Sequence, residues 1–225
     1  MTVRGPRVVL LGKQGAGKGT QATRVAEHYA VAHLATGDLF RAAARDGTPL
    51  GVKARRYIDR GELVPDDIVI GVVREFLTAH DGALAASGFV LDGFPRTRVQ
   101  AEELDVALGD ERLDIVVNLD VPTEVVLARI AGRRVCVQCG ANYHVDHPPR
   151  DPWWCDHCGG HVLQRDDDQE DSVMRRLELY EIQTLPVIQY YRRSGKLVSV
   201  NGEADSESVF AAVITAIDAR REAPE

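Results

Sequence analysis

The chain has 225 residues, of which 44% are hydrophobic and 27% are charged, and its formal net charge at pH 7 is −7. This length predicts one main core with inserted pieces, and the ordinary composition predicts a globular protein. The acidic charge argues against a nucleic-acid backbone as the main partner, because such binding depends on a basic surface. Apolar runs are short and no secretory signal pattern is present, so we expect no membrane span and a cytoplasmic location.

The first predicted strand leads directly into a phosphate-binding pattern. Residues 8–11 form a short apolar run rich in β-branched residues, which is typical of a buried parallel strand. Residues 12–18 have the Walker A spacing of glycines and a final lysine, Lys18. Backbone N–H groups, the helix dipole and Lys18 are predicted to surround nucleotide phosphates. Gly19 stands where such loops usually carry Ser or Thr, so the loop alone does not predict a hydroxyl ligand for magnesium.

The next segments alternate between helical and strand patterns. After the loop, apolar residues recur at helical spacing at Ala22, Val25, Ala26 and Tyr29. Residues 33–35 fit a second short strand. Residues 37–66 are helical in pattern but contribute no strand, so we predict that they are inserted into the core.

Three later apolar runs, residues 88–93, 114–119 and 196–200, repeat the buried-strand pattern. Five strands that alternate with helices predict an α/β P-loop fold with three layers and a five-stranded parallel sheet. Pro122 suits the first turn of the helix that follows the fourth strand. Residues 209–217 give the apolar face of a C-terminal helix.

Acidic residues occur at two positions of chemical interest. Asp92 ends the third predicted strand, at the carboxyl edge of the sheet, where a carboxylate can hold the water shell of a magnesium ion. Its alternative role is a helix or turn cap. Asp167 and Asp168 follow Arg165, and aspartate favours the first turn of a helix, so they fit a hinge or a helix start.

All four cysteines lie in a second predicted insertion, residues 132–166. Cys136-x2-Cys139, then fifteen residues, then Cys155-x2-Cys158 is the spacing of a four-cysteine zinc site. Disulfides are the alternative, but a cytosolic chain keeps its thiols reduced. About 35 residues are too few for a core without a metal or disulfides, so we predict a structural zinc ion. Polar loop positions fit the nearby histidines better than ligand roles do: His144, His147, His157 and His161.

Several motifs, in chain order, resemble those of the adenylate kinase family, in its bacterial type with a long zinc-binding lid. They are residues 15–22, residues 36–38 with Arg41, residues 63–66, residues 88–97 with their Asp-Gly-Phe-Pro-Arg run, and residues 165–176. The resemblance covers nearly the whole chain. One departure is Gln14, where bacterial members commonly have proline. The resemblance implies reversible phosphoryl transfer from ATP, bound with Mg²⁺, to AMP, giving two ADP.

The resemblance also implies a role for individual residues. The residues that would bind ATP are Gly15, Ala16, Gly17, Lys18, Gly19, Thr20, Arg129 and Arg133. The residues that would bind AMP are Thr36, Arg41, Val64, Gly93, Arg96, Gln100, Arg165 and Arg176. The residues that would act on the transferred group are Lys18, Arg96, Arg133, Arg165 and Arg176. Asp92 would face the phosphate loop, and Asp167 and Asp168 would orient arginines.

The predicted division has three parts. Residues 1–36, 67–131 and 167–225 would form the P-loop core, residues 37–66 the insertion that binds the nucleoside monophosphate, and residues 132–166 a zinc-binding lid. A lid is needed because water is an alternative acceptor for the phosphoryl group. We expect a monomer.

Two alternatives remain open at this point. The first is a kinase of the same fold that uses GTP as donor or UMP or CMP as acceptor, and the long lid argues against the pyrimidine acceptors. The second is a nucleic-acid-binding zinc ribbon joined to an ATPase core. The net charge and the lack of a basic stripe in residues 143–154 argue against this second alternative.

Overall fold

The computed structural model describes residues 4–78, 87–109 and 112–222. In chain order its elements are β1 (Arg7–Leu11), α1 (Lys18–Tyr29), β2 (Ala32–Ala35), α2 (Thr36–Arg45), α3 (Pro49–Ile58), α4 (Asp66–Thr78), β3 (Phe89–Asp92), α5 (Arg98–Leu108), β4 (Ile115–Asp120), α6 (Thr123–Gly132), β5 (Arg133–Cys136), β6 (Asn142–His144), β7 (Val162–Leu163), α7 (Glu170–Leu179), α8 (Leu185–Arg193), β8 (Leu197–Asn201) and α9 (Ser206–Glu222). A 3₁₀ turn, Asp166–Asp168, precedes α7, and a π-helical turn, Tyr180–Thr184, joins α7 to α8.

Five strands form the central sheet in the order β2-β3-β1-β4-β8, and all neighbouring pairs are parallel. The predicted five-stranded parallel sheet is therefore confirmed, and each strand begins and ends within one residue of its predicted bounds. Successive side chains of β1 belong to different clusters: Val9 and Leu11 to one, Val8 and Leu10 to the other. Because helices cover both faces, the strands appear in the sequence as continuous apolar runs.

Helices α1 and α9 pack as their apolar periodicity predicts. Val25 of α1 and Val213 of α9 are fully buried on one face of the sheet, and Ala101 of α5 is fully buried on the other. Pro122 lies at the N-cap of α6, one residue before the helix begins, whereas the sequence places it in the first turn. No helix within the described ranges is long and apolar enough to cross a membrane.

Two segments stand apart from the alternation of strand and helix. Residues 37–66 contribute helices and no strand to the sheet, as predicted. Residues 133–163 form a separate antiparallel sheet in the order β6-β5-β7, which the sequence pattern does not predict. Strand β5 has four residues, β6 three and β7 two, which is too short for a recognisable apolar alternation.

Candidate nucleotide site and metal centre

A cavity of about 710 Å³ opens at the carboxyl ends of β1 and β3, where ligands commonly bind in open parallel sheets. Every residue predicted from the sequence to bind a nucleotide or to act on the phosphoryl group lines this cavity. They are Gly15, Ala16, Gly17, Lys18, Gly19, Thr20, Thr36, Arg41, Val64, Asp92, Gly93, Arg96, Gln100, Arg129, Arg133, Arg165 and Arg176. The structure thus brings these residues together, and the role of each remains a prediction.

The phosphate loop joins β1 to α1 and has a conformation that requires glycine. Gly15 and Gly17 have φ angles of 80° and 95°, which side chains other than glycine rarely adopt. A Cβ atom on Gly15 would lie 2.7 Å from Cγ1 of Ile130. The loop therefore packs tightly against α6, and its backbone N–H groups at the start of α1 can face an anion.

Lys18 lies partly buried beside the loop. Its Nζ donates hydrogen bonds of 2.8 Å to the carbonyl oxygens of Gly12 and Lys13. Burial lowers the pKa of Lys18 to about 8, although the carboxylate of Asp92 opposes this shift. A bound phosphate would supply the negative charge that this desolvated ammonium group lacks.

Asp92 ends β3 next to the same loop. A Cβ atom on Gly19 would lie 3.4 Å from Oδ2 of Asp92, so the carboxylate faces the position that carries a hydroxyl residue in most Walker A loops. An oxygen ligand at this place suits Mg²⁺, which prefers carboxylates, water and phosphate oxygens.

The cavity concentrates positive charge although the chain is acidic overall. Burial and the charge of Arg176 lower the pKa of Arg96 to about 10, and burial with the charge of Arg41 does the same for Arg165. Both guanidinium groups stay charged near neutral pH. Mutual repulsion among partly buried cations marks a site that an anionic ligand would stabilise.

Buried carboxylates hold several of these arginines in place. Asp167 and Asp168 are 4% and 5% exposed. Nε of Arg133 donates to Asp168 at 2.8 Å, and Arg176 pairs with Asp167. Burial alone would raise the pKa of Asp167, but Arg176 and Arg41 lower it below its ordinary value. The aspartates that follow Arg165 therefore contact arginines of the cavity in addition to forming the 3₁₀ turn.

Gln14 connects the phosphate loop to one of these aspartates, Asp168. Its Nε2 donates to Oδ1 of Asp168 at 3.2 Å, and this contact joins residues 154 positions apart. The sequence predicts Gln14 only as a departure from a common proline. Its partner was not predictable, because the contact exists only after the 3₁₀ turn packs against the loop.

Gly93, which directly follows β3, brings two predicted site residues together. Thr36 Oγ1 and Arg96 Nε donate to its carbonyl oxygen at 3.0 and 2.8 Å. Its φ angle is 78°, and a Cβ atom would lie 2.9 Å from Nη2 of Arg96. Glycine is favoured here by its backbone conformation, and a side chain would also displace the end of Arg96.

Sequence reasoning missed a group of cavity residues in the second sheet and the loop after it. They are Asn142, Tyr143, His144, Asp146 and His147. The sequence presents His144 and His147 as polar loop residues with no site role. No local signal marks the group, because its position depends on how residues 133–163 fold over the cavity.

The four cysteines converge as their spacing predicts. Their sulfur atoms all lie within 4.8 Å of one another, and within the described residues this is the group of side chains that could hold a metal ion. The Cys136–Cys158 and Cys139–Cys155 sulfur pairs are 3.5 Å apart, so the thiols are not disulfide-bonded. Tetrahedral zinc, with Zn–S bonds of about 2.3 Å, requires sulfurs about 3.8 Å apart. The donor set fits zinc, and the group includes no histidine.

Comparison with known proteins identifies the family. A family model described as "Adenylate kinase" matches residues 10–196. The chain is 48% identical over 214 residues to an adenylate kinase of Carboxydothermus hydrogenoformans, which covers 94% of this chain and 99% of that protein. It is 48% identical to the adenylate kinases of a Geobacillus species (91% of this chain, 94% of that protein) and of Syntrophobacter fumaroxidans (93% and 98%). With likeness over almost its full length, and with the phosphate loop and arginines around one cavity, the chain belongs to the adenylate kinase family of phosphotransferases.

Proposed function

We propose that this chain catalyses the reversible transfer of a phosphoryl group from MgATP to AMP, giving two ADP. The observation that carries the proposal is the cavity itself, where a phosphate loop and a cluster of partly buried arginines face the same space. Phosphoryl transfer needs little covalent chemistry from the protein, and it depends on positioning and on charge stabilisation. The structure offers both.

On the donor side, the phosphate loop and Lys18 would bind the ATP phosphates. Arg133, fixed by Asp168, would contact the transferred group, and Arg129 would lie against the adenine. Arg129 donates to the carbonyl oxygens of Gly202 and Glu203 at 2.8 and 3.1 Å, which holds its planar group at the edge of the cavity.

Mg²⁺ would be held through its water shell by Asp92. The ion supplies charge neutralisation to the phosphate oxygens when it is bound. The protein's part is to keep the Asp92 carboxylate beside the loop at Gly19.

On the acceptor side, Arg41 and Arg96 would bind the AMP phosphate, and Gln100 would contact its base. Thr36, Val64 and Gly93 would complete the pocket, while Arg165 and Arg176 would lie between the two nucleotides. The charges of Arg96 and Arg176 repel each other, so the binding of anionic nucleotides between these arginines would be favourable.

The lid would exclude water. We propose a structural zinc ion at Cys136, Cys139, Cys155 and Cys158, and we retain the division into core, acceptor insertion (residues 37–66) and lid (residues 132–166). A closed set of four thiolates leaves no position for water or substrate, which supports a structural metal. Monomeric state and cytoplasmic location remain predictions from the sequence.

The test is a coupled assay with AMP, GMP, CMP and UMP as acceptors and with ATP and GTP as donors. We expect AMP with ATP to give the highest kcat/KM. Faster phosphorylation of UMP, CMP or GMP would show instead that the protein is a kinase of the same fold with another acceptor.

A pair of variants tests the arginine assignment. Arg96→Ala should lower turnover on the order of 10²- to 10³-fold, as removal of one charge-stabilising group does. Arg98→Ala is the matched control, since Arg98 is exposed and pairs with Glu102 at 2.7 Å. Equal activity of the two variants would contradict the assigned site.

A further inference from the structure

The side-chain amide of Gln100 is held in one orientation. Gln100 is 2% exposed, yet it lines the cavity. Its Oε1 accepts a hydrogen bond of 2.8 Å from the backbone N–H of Arg96. Its Nε2 donates a hydrogen bond of 2.7 Å to Oδ1 of Asp66. Both ends of the amide are therefore engaged by the protein.

Only this orientation satisfies both partners. An ionised carboxylate can only accept a hydrogen bond, and a backbone N–H can only donate one. A reversed amide would set its oxygen against the carboxylate of Asp66 and its N–H₂ group against the N–H of Arg96. Such a reversal would leave buried polar groups unpaired, which costs more than the bonds contribute.

The side chain of Asp66 is itself held in place, so it can fix the orientation of the Gln100 amide. It is the first residue of α4, and its Oδ2 accepts a hydrogen bond of 3.0 Å from Oγ1 of Thr97. Thr97 is the N-cap of α5, and its hydroxyl oxygen accepts from the N–H of Gln100 at 3.2 Å. The carboxylate therefore joins two helices and sets the amide between them.

The locked amide has one donor and one acceptor left for a ligand. A glutamine amide carries two N–H donors and two acceptor lone pairs, and the protein uses one of each. The remaining pair matches adenine, whose 6-amino group donates to the oxygen while a ring nitrogen accepts from the N–H, a bidentate pairing common for glutamine and adenine. A purine with an oxygen at position 6 would set acceptor against acceptor.

We propose that Asp66 is a specificity-determining residue that selects a 6-amino purine by preventing the amide of Gln100 from turning over. The inference rests on the proposed function, since it requires that Gln100 contacts the acceptor base. Asp66 acts through Gln100 and is a positioning residue. Sites built to match a hydrogen-bonding pattern reject ligands with the wrong pattern strongly.

The test compares AMP with inosine monophosphate, which has an oxygen at position 6 and no 2-amino group. Asp66→Asn weakens the constraint on the amide of Gln100, because an amide at position 66 can donate as well as accept, while the contact with the N–H of Arg96 remains. We expect the AMP-to-IMP ratio of kcat/KM to fall about tenfold, equivalent to about 1.4 kcal/mol, mostly through KM for the acceptor. Asp67→Asn is the matched control, because Asp67 is the exposed neighbour on the same helix turn and should leave the ratio unchanged.

Two outcomes separate this inference from the proposed function. If Gln100→Leu changes the ratio but folded Asp66→Asn does not, the positioning role of Asp66 is wrong while the acceptor site stands. If Gln100→Leu alters neither KM for AMP nor the ratio, the assigned acceptor site is wrong, and the inference fails with it. Should Asp66→Asn not fold, Asp66→Ser decides the question, because serine suits a helix start and its hydroxyl can also donate. An unchanged ratio in that variant would overturn the inference.

Discussion

The five-stranded core sheet and the antiparallel sheet of residues 133–163, called the lid sheet below, differ in the interactions available to stabilise them. Leu10 and Val9 of β1 are fully buried on opposite faces of the core sheet, inside two large apolar clusters. Among the described residues of the lid sheet, the buried cluster contains only Cys136, Cys155 and Val162. A segment of this size cannot form a stable core from apolar burial alone. The phosphate loop is thus built on a large apolar core, whereas we propose that residues 133–163 depend on a metal bound by the four cysteine sulfurs.

The largest effect should come from removing the metal. Structural zinc contributes about 10–16 kcal/mol to small ligated segments. Chelation, or Cys155→Ser, should unfold the lid and lower the melting temperature. Both tryptophans, Trp153 and Trp154, lie in this segment, so their fluorescence should shift.

The core should survive this treatment. We expect ATP still to bind the phosphate loop, and turnover to fall without vanishing, because the core sheet lies outside the lid. Metal content, melting temperature and turnover before and after chelation measure the result. An apoprotein that melts at the same temperature but loses all activity would show a catalytic metal instead.

The second effect is confined to the core site. Lys18→Ala should lower turnover on the order of 10³-fold, because it removes a buried charge aimed at the phosphates. Zinc content and melting temperature should not change appreciably. Lys13→Ala is the control in the same loop, since the Lys13 ammonium bonds Thr123 at 2.9 Å and should retain most of the turnover. Near-normal turnover of Lys18→Ala would contradict the assignment.

The third effect compares apolar burial in the two sheets. Leu10→Ala should lower the free energy of unfolding of the core by about 2–5 kcal/mol while zinc content stays constant. Val162→Ala should weaken metal retention and leave core unfolding nearly unchanged, because Val162 belongs to the buried cluster formed with Cys136 and Cys155. Urea titrations followed by circular dichroism and tryptophan fluorescence separate the two. Loss of zinc in the Leu10 variant alone would mean that the sheets are not independent.

The smallest effect is a change in protonation. Because burial lowers the pKa of Lys18 to about 8 in the free protein, part of the population is neutral at higher pH. Bound phosphate favours the charged form of Lys18. At a pH about half a unit above this pKa, the binding of ATP should therefore be accompanied by the uptake of more than half a proton per Lys18. Near neutral pH, Lys18 is already charged and uptake should be small.

Calorimetry in buffers of different ionisation enthalpy measures this uptake. Lys18→Ala should abolish it, whereas chelation of the metal should not. Equal uptake by the Lys18 variant would assign the proton to another group.

Much of the fold could be predicted because its signals are local. Residues 8–11 and 114–119 stand out as apolar runs since their strands are buried on both faces. The short strands of the lid, such as Val162–Leu163, carry too few residues for such a signal. The site residues were predicted chiefly through their motifs, which keep their order along the chain.

The amino-acid sequence by itself predicted the parallel sheet, the phosphate loop and the convergence of the four cysteines. Each of these depends on spacing between residues close in the chain. Only the tertiary structure decided which side chains meet across long separations: Gln14 with Asp168, Arg133 with Asp168, and Asp66 with Gln100. Hydrogen bonds between polar side chains leave no periodic trace in a sequence, because their geometry exists only after apolar burial has packed the elements together.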